Sequence, residues 1–287
     1  MAEFDSVAIV GVGLIGGSIG QALRERKLAR EVVGIGRQER NLRTAEKLGA
    51  IDRGTTVLAE GVAQAEIVVI CTPVDTVAQL IVATAAACPA RTIISDVGST
   101  KEAIVTTAEA ALASRRNGPW FVGSHPLAGD HRRGVGFSRG DLFERRKVIV
   151  TSTDTSHRAA VMNIVQFWQN LGAAVVEMGP AEHDDALAVI SHLPHLVASA
   201  LAYSTPKELL PLAASGWRYT TRIAGGDPAL WRAIVAANRQ HVLDALVRFD
   251  EALAVIREAL EQGDDEQLFG FLERAKWVKS SRDALGD

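Results

Sequence analysis

The chain lacks the features that would place it early in several protein classes. Its 287 residues hold two cysteines, Cys71 and Cys88; both lie in apolar surroundings, so no disulfide framework is expected. Neither sign of charge dominates, and a net charge of −3 gives no electrostatic case for nucleic acid. No apolar stretch approaches the roughly 20 residues needed to cross a bilayer. No basic region followed by an apolar run stands near Met1, so a signal peptide is not expected either. Internal repeats and low-complexity segments are missing too. The expectation is a globular protein of the reduced cytoplasm, without nucleic-acid or membrane partners. An apolar fraction of 47% over this length suits one large domain or two moderate ones.

What is present begins at Ser6. The apolar run Ser6-Val7-Ala8-Ile9-Val10 leads into Gly11-Val12-Gly13-Leu14-Ile15-Gly16-Gly17-Ser18, glycines spaced G-x-G-x-x-G between a strand pattern and a helix pattern. That context makes the spacing a dinucleotide signature. Gly11 would allow a tight turn, Gly13 a close approach of backbone to pyrophosphate, and Gly16 close packing of helix on strand. The helix start then offers free N–H groups and its positive dipole end to the phosphates.

Strand and helix patterns alternate from there. Strands are expected at 31–36, 67–71, 92–96, 120–123, 147–150 and 174–177, with helices at 18–27, 40–48, 75–87, 101–113 and 159–171 between them. This predicts an α/β fold, a Rossmann-type doubly wound and mostly parallel sheet. After Met178 strand-like runs cease and long helical patterns dominate, at 182–203, 231–260 and 264–285. The reading is two domains: 1–178 binding a dinucleotide, and 179–287, all helical, for substrate and dimerisation. The apolar face Val242, Leu246, Phe249, Leu253, Ile256 and Leu260 suits either an internal core or a homodimer interface, with the dimer favoured. The stretch from Ser215 to Pro228 reads as a loop carrying Arg218 and Arg222.

Several residues carry candidate chemistry. At the end of the second strand the acidic residue that would hold the ribose of NAD is replaced by Gly36 or Arg37. A guanidinium suits a 2′-phosphate, so NADP is the expected cofactor, with NAD possible and Glu39 near enough to blur the distinction. Thr72-Pro73 follows the third strand at the same edge. Asp96-Val97-Gly98-Ser99-Thr100-Lys101 follows the fourth, and Gly123-Ser124-His125-Pro126-Leu127-Ala128-Gly129 the fifth. Carboxyl ends of strands face the ligand crevice in open α/β sheets, which puts Ser99 and His125 beside the nicotinamide end. Neutral His125 is the expected base. Ser99 either orients it or caps the helix that starts at Lys101. Ser191-His192-Leu193-Pro194-His195 sets two histidines three apart on one helical face; a metal site is not expected, because H-E-x-x-H spacing is missing and His183 and Asp184 do not repair it. An arginine such as Arg222 can clamp a carboxylate, although most single arginines are surface ion pairs.

Taken together, the motifs resemble the prephenate and arogenate dehydrogenases of tyrosine biosynthesis. The glycine turn is generic, but the combination of Gly123 to Gly129, Ser191 to His195 and Thr221-Arg222-Ile223-Ala224 is specific, and these pieces run in the family's order over nearly the whole chain. The resemblance implies an NAD(P)-dependent oxidative decarboxylation of prephenate or arogenate. It implies that His125 takes the ring-hydroxyl proton while Ser99 holds His125 and the nicotinamide side. His195, His192, Arg222 and Trp231 line the substrate pocket. Gly11, Gly13, Leu14, Ile15, Gly16, Arg37, Thr72, Pro73 and Ser99 meet the cofactor. Asp130-His131-Arg132-Arg133 departs from the usual pattern, so its contacts do not transfer. Two other readings were weighed: a β-hydroxyacid dehydrogenase or imine reductase, which uses a lysine in its helical domain, and a cofactor-binding sensor without turnover, which would not need His125.

Overall fold

The computed structural model describes residues 2–115, 117–129 and 132–284. The chain forms two compact units, 1–238 and 239–287.

In the first unit eight strands make one sheet: β1 (Phe4–Val10), β2 (Ala29–Ile35), β3 (Arg53–Thr55), β4 (Ile67–Ile70), β5 (Ile93–Asp96), β6 (Trp120–Pro126), β7 (Lys147–Thr151) and β8 (Ala174–Met178). Their order is β3-β2-β1-β4-β5-β6-β7-β8. Every neighbouring pair is parallel except β6 and β7, which run antiparallel with His125 opposite Ile149. The helices α1 (Leu14–Glu25), α2 (Glu39–Lys47), α3 (Leu58–Val62), α4 (Val74–Ala87), α5 (Glu102–Leu112) and α6 (Arg158–Asn170) connect the strands. Period-two alternation sends Val7 and Ile9 into one buried cluster and Ala8 and Val10 into another. Both faces of the sheet's centre are covered, so β1, β4 and β5 are buried nearly throughout and read as runs rather than as alternating patterns.

The structure corrects the sequence reading in four places. Helix α1 starts at Leu14, directly after the glycine turn, not at Ser18. β3 and α3 went unseen because three and five residues are too short to show a period. β6 extends through Pro126, so Ser124 and His125 sit in the strand and not after it. The stretch 215–228 contains α9 (Ser215–Thr220) and a 3₁₀ turn, Arg222–Gly225.

Beyond β8 the chain continues as α7 (Pro180–Leu187), a single π-turn at Ala188–His192, α8 (Leu193–Ser204), α9 and α10 (Pro228–Ala237). Pro194 has no N–H to give the preceding turn, and the widened turn lies directly before it. The run 180–204 is therefore unbroken and, contrary to the expectation that no stretch would be, long and apolar enough to cross a membrane by length and composition alone. It carries His183, Asp184, His192 and His195, all buried.

The second unit is a helix pair, α11 (Arg239–Gln262) and α12 (Asp265–Ala284), turned at Gly263, whose φ is +65°. Such a φ favours glycine. On α12, Phe269, Leu272, Trp277 and Val278 are all more than half exposed.

Candidate active site

The glycine turn is shaped by what its glycines do not carry. Gly11 has φ +97°, and a Cβ there would stand 2.8 Å from the carbonyl oxygen of Cys71 and 3.0 Å from Thr72 Cγ2. A Cβ on Gly16 would stand 2.3 Å from Gly11 O and 2.9 Å from Ile9 Cγ2. Gly13 differs: nothing lies within 4 Å of its Cβ position. It is the N-cap of α1, it makes no side-chain cap, and the first turn holds no acidic residue. Leu14 and Ile15 continue the helix from there. The result is an uncapped helix start with open space before it, the form that suits an anion. Cys71, next to the turn, is a free thiol that burial pushes up and keeps neutral. Thr72 Oγ1 pairs with Thr76 Oγ1 at 2.9 Å, and Pro73 caps α4. At the end of β2 Arg37 is exposed, while Glu39 is held by Arg43 at 2.6 Å one helical turn later.

Two strands away, a buried chain of polar groups leads to His125. Asp96, at the end of β5, accepts from Gly98 N at 2.8 Å and Ser124 N at 3.1 Å, and pairs with the Lys101 ammonium. Neither Asp96 nor Lys101 is exposed. His125 Nδ1 lies 2.8 Å from His183 Nε2. His183 Nδ1 in turn lies 2.7 Å from Asp184 Oδ1. The Asp184 carboxylate also accepts the Lys101 amide at 2.7 Å and the Glu102 amide at 3.0 Å. It is therefore the cap of α5, a role the sequence suggested for Ser99. Burial acts to raise the Asp184 carboxyl, but the bonds from His183, Glu102 and Lys101 outweigh it and hold the group below its usual range. Burial, then the neighbouring His183, Lys101 and His192, hold the His125 imidazole well below its ordinary value near 6.5. His125 is a neutral ring. The residue is 9% exposed, and its Nε2 makes no hydrogen bond among the described residues. Ser99 is half-buried and makes no hydrogen bond to His125 among those residues; the orienting contact comes from His183.

The helices after β8 supply a second group. His195 stacks on Trp231 with ring centres 3.6 Å apart and planes 10° apart, and His192 meets the same indole edge-on at 6.2 Å. A side chain at Gly226 would drive a Cβ to 2.5 Å from Trp231 Nε1 and 3.0 Å from His195 Cε1, so the loop backs directly onto the stack. His195 Nδ1 is buried without a hydrogen-bond partner among the described residues. Asn238 Nδ2 donates to the Asp184 carbonyl at 2.7 Å and lies 3.1 Å from His192 Nδ1. A carbonyl can only accept, so Nδ2 is the donor in both contacts and His192 keeps its proton on Nε2. Burial lowers the pKa of His192 to about 4, and that of His195 also falls. Arg222 is exposed on its 3₁₀ turn, which packs against α8, and it has no ion pair among the described residues. Arg133 pairs with Asp227, which caps α10 through Ala229 N and Leu230 N. Asp130 and His131 lie outside the described residues. Sequence reasoning missed His183, Asp184, Asn238 and Lys101 as site residues. The one signal for the first pair was a His-Asp dipeptide opening a helix, which had been weighed only as a metal ligand.

A mostly parallel sheet with a glycine turn after β1 and a neutral histidine on β6, three strands along the same sheet, defines a dinucleotide-dependent oxidoreductase. Comparison with known proteins narrows this. Residues 19–177 match the family model described as prephenate dehydrogenase, nucleotide-binding domain, and 179–274 the one described as prephenate dehydrogenase, dimerization domain. A prephenate dehydrogenase of Bacillus subtilis is 38% identical over 95% of this chain and 74% of its own length. The crystal structure of prephenate dehydrogenase from A. aeolicus with hydroxyphenyl propionate and NAD+ superposes with a TM-score of 0.88 at 31% identity, covering 96% of this chain and 98% of that one. An arogenate dehydrogenase from Synechocystis gives a TM-score of 0.85 at 26% identity, over 96% and 99%. The chain belongs to the prephenate dehydrogenase family.

Proposed function

We propose that this enzyme oxidatively decarboxylates prephenate, arogenate or both, with NADP preferred over NAD. The observation that carries the reading is His125, a buried, uncharged imidazole with a bare Nε2 on the strand edge that also carries the glycine turn. When the ring carbon bearing the hydroxyl gives up its hydrogen as hydride, the hydroxyl must release its proton to an acceptor, and neutral imidazole is suited to that near pH 7. The nicotinamide ring supplies the hydride acceptor when bound. Gly11, Gly13, Leu14, Ile15 and Gly16 would hold the pyrophosphate, and Thr72, Pro73 and Ser99 the nicotinamide side. Occupation of Glu39 by Arg43 removes the nearby carboxylate that would favour a free ribose, which supports Arg37 as the reader of a 2′-phosphate. His192 and His195 against Trp231 form a wall of neutral donors and an aromatic face. Arg222, without an ion pair among the described residues, is available to a substrate carboxylate. Departure of carbon dioxide makes the ring aromatic, so the protein has chiefly to orient the reactants and move one proton.

The exposed apolar residues of α12 support a homodimer through the C-terminal helices. A division of labour near residue 178, cofactor before and substrate after, and a cytoplasmic setting complete the proposal. The test is the initial rate of nicotinamide reduction with prephenate and arogenate, each with NAD and NADP. Reduction of NADP with at least one substrate is expected. No reduction in any of the four pairings would overturn the activity, and faster reduction of NAD would overturn the cofactor preference.

A further inference from the structure

We infer that His183, held by Asp184, is a positioning residue that fixes His125 in the tautomer with a bare Nε2. The catalytic part of this inference rests on the proposed reaction; the tautomer does not. The bonds allow one consistent assignment of protons for neutral rings. Asp184 Oδ1, an acceptor that also takes the Lys101 amide, faces His183 Nδ1 at 2.7 Å, so that nitrogen carries a proton. A neutral ring protonated on Nδ1 presents a lone pair on Nε2. That lone pair faces His125 Nδ1 at 2.8 Å, so His125 Nδ1 is the donor and its own Nε2 is left bare. The ring is then ready to accept a proton at Nε2, the nitrogen without a partner among the described residues. Asn238 sets the opposite tautomer on His192, from the carbonyl of the same Asp184. Neighbouring histidines are thereby held as an acceptor and a donor by the side chain and backbone of one residue.

The alternative is a doubly protonated His183. It would donate from Nε2 to His125 Nδ1, push the His125 proton onto Nε2, and leave nothing to receive a proton from a hydroxyl. The two states are distinguished by imidazole ¹⁵N chemical shifts, which separate protonated from bare ring nitrogens, recorded on the whole protein labelled at histidine and assigned with His125→Asn and His183→Gln. A protonated Nδ1 and bare Nε2 on His125 near pH 7 are expected. A protonated Nε2 would overturn the inference, whether or not any substrate is turned over.

Two variants extend the test to turnover. His183→Leu removes the acceptor, and kcat should fall about 10²–10³-fold with cofactor Kd within about threefold of the parent. Gln at 183 offers a carbonyl to His125 and an amide N–H to Asp184, so His183→Gln should recover most of that loss. A Leu variant with parental kcat, or a folded Gln variant as slow as the Leu variant, would contradict the positioning role.

Discussion

The glycine turn and the 180–238 segment meet opposite demands. At the turn the working groups are backbone amides, and the sequence serves them by leaving side chains out: a Cβ at Gly16 would overlap Gly11 O, and one at Gly13 would fill open space. In the later segment the working groups are side chains, and the helices serve by fixing rings in place, with the centres of His195 and Trp231 3.6 Å apart and the facing nitrogens of His125 and His183 2.8 Å apart. The turn contributes preorganised amides and a helix dipole. The helices contribute neutral donors, an aromatic wall and control of one proton. Defects in the two regions should therefore appear in different measured constants.

The largest separation is expected at His125. His125→Asn should lower kcat about 10²–10⁴-fold and leave cofactor Kd nearly unchanged; a comparable loss of cofactor affinity would mean that the ring is structural. Gly13→Val is its counterpart. Its Cβ would meet no heavy atom within 4 Å, so the thermal midpoint should hold, while cofactor Kd rises about 100-fold as charge-assisted amide bonds to phosphate are blocked. Unaltered cofactor binding by calorimetry would remove the turn from the site. Next comes Arg222→Gln, expected to raise the substrate KM about 10-fold or more through loss of one charged pair with cofactor Kd untouched; an unchanged KM would return Arg222 to the ordinary surface. The smallest effect is expected for Arg37→Asp, a shift of the NADP-to-NAD ratio of kcat/KM by about 10-fold toward NAD. No shift would place the reading of the ribose elsewhere.

The same contrast explains what could be read before folding. The order of the long elements was legible because the central strands are buried on both faces and are apolar runs; β3, Arg-Gly-Thr, is not one and was missed. The glycine turn was legible because a φ of +97° at Gly11 and a close approach at Gly16 leave glycine as the only economical residue. His125 was legible because it lies near the carboxyl end of a strand, at the edge where ligands bind. His183 and Asp184 were not, since their meaning comes from α7 packing on β6 and α5, a contact 58 residues apart in sequence for His125 and His183. Ser99 was misjudged as an orienting or capping residue for the same reason: its competitor for both roles lay on a distant helix. The 215–228 stretch hid its turns because glycines and threonines broke the period over segments of four and six residues.

Proton transfer to an uncharged His125 is best tested by the pH dependence of kcat/KM for nicotinamide reduction. A folded-state pKa held well below 6.5 keeps the imidazole neutral through the physiological range and gives it up only in acid. The profile should be level from pH 8 down through about 6.5, with its acid limb lying clearly lower and lost in the residual activity of His125→Asn. An acid limb at or above pH 6.5, or one that persists unchanged in that variant, would show that this histidine is not the base.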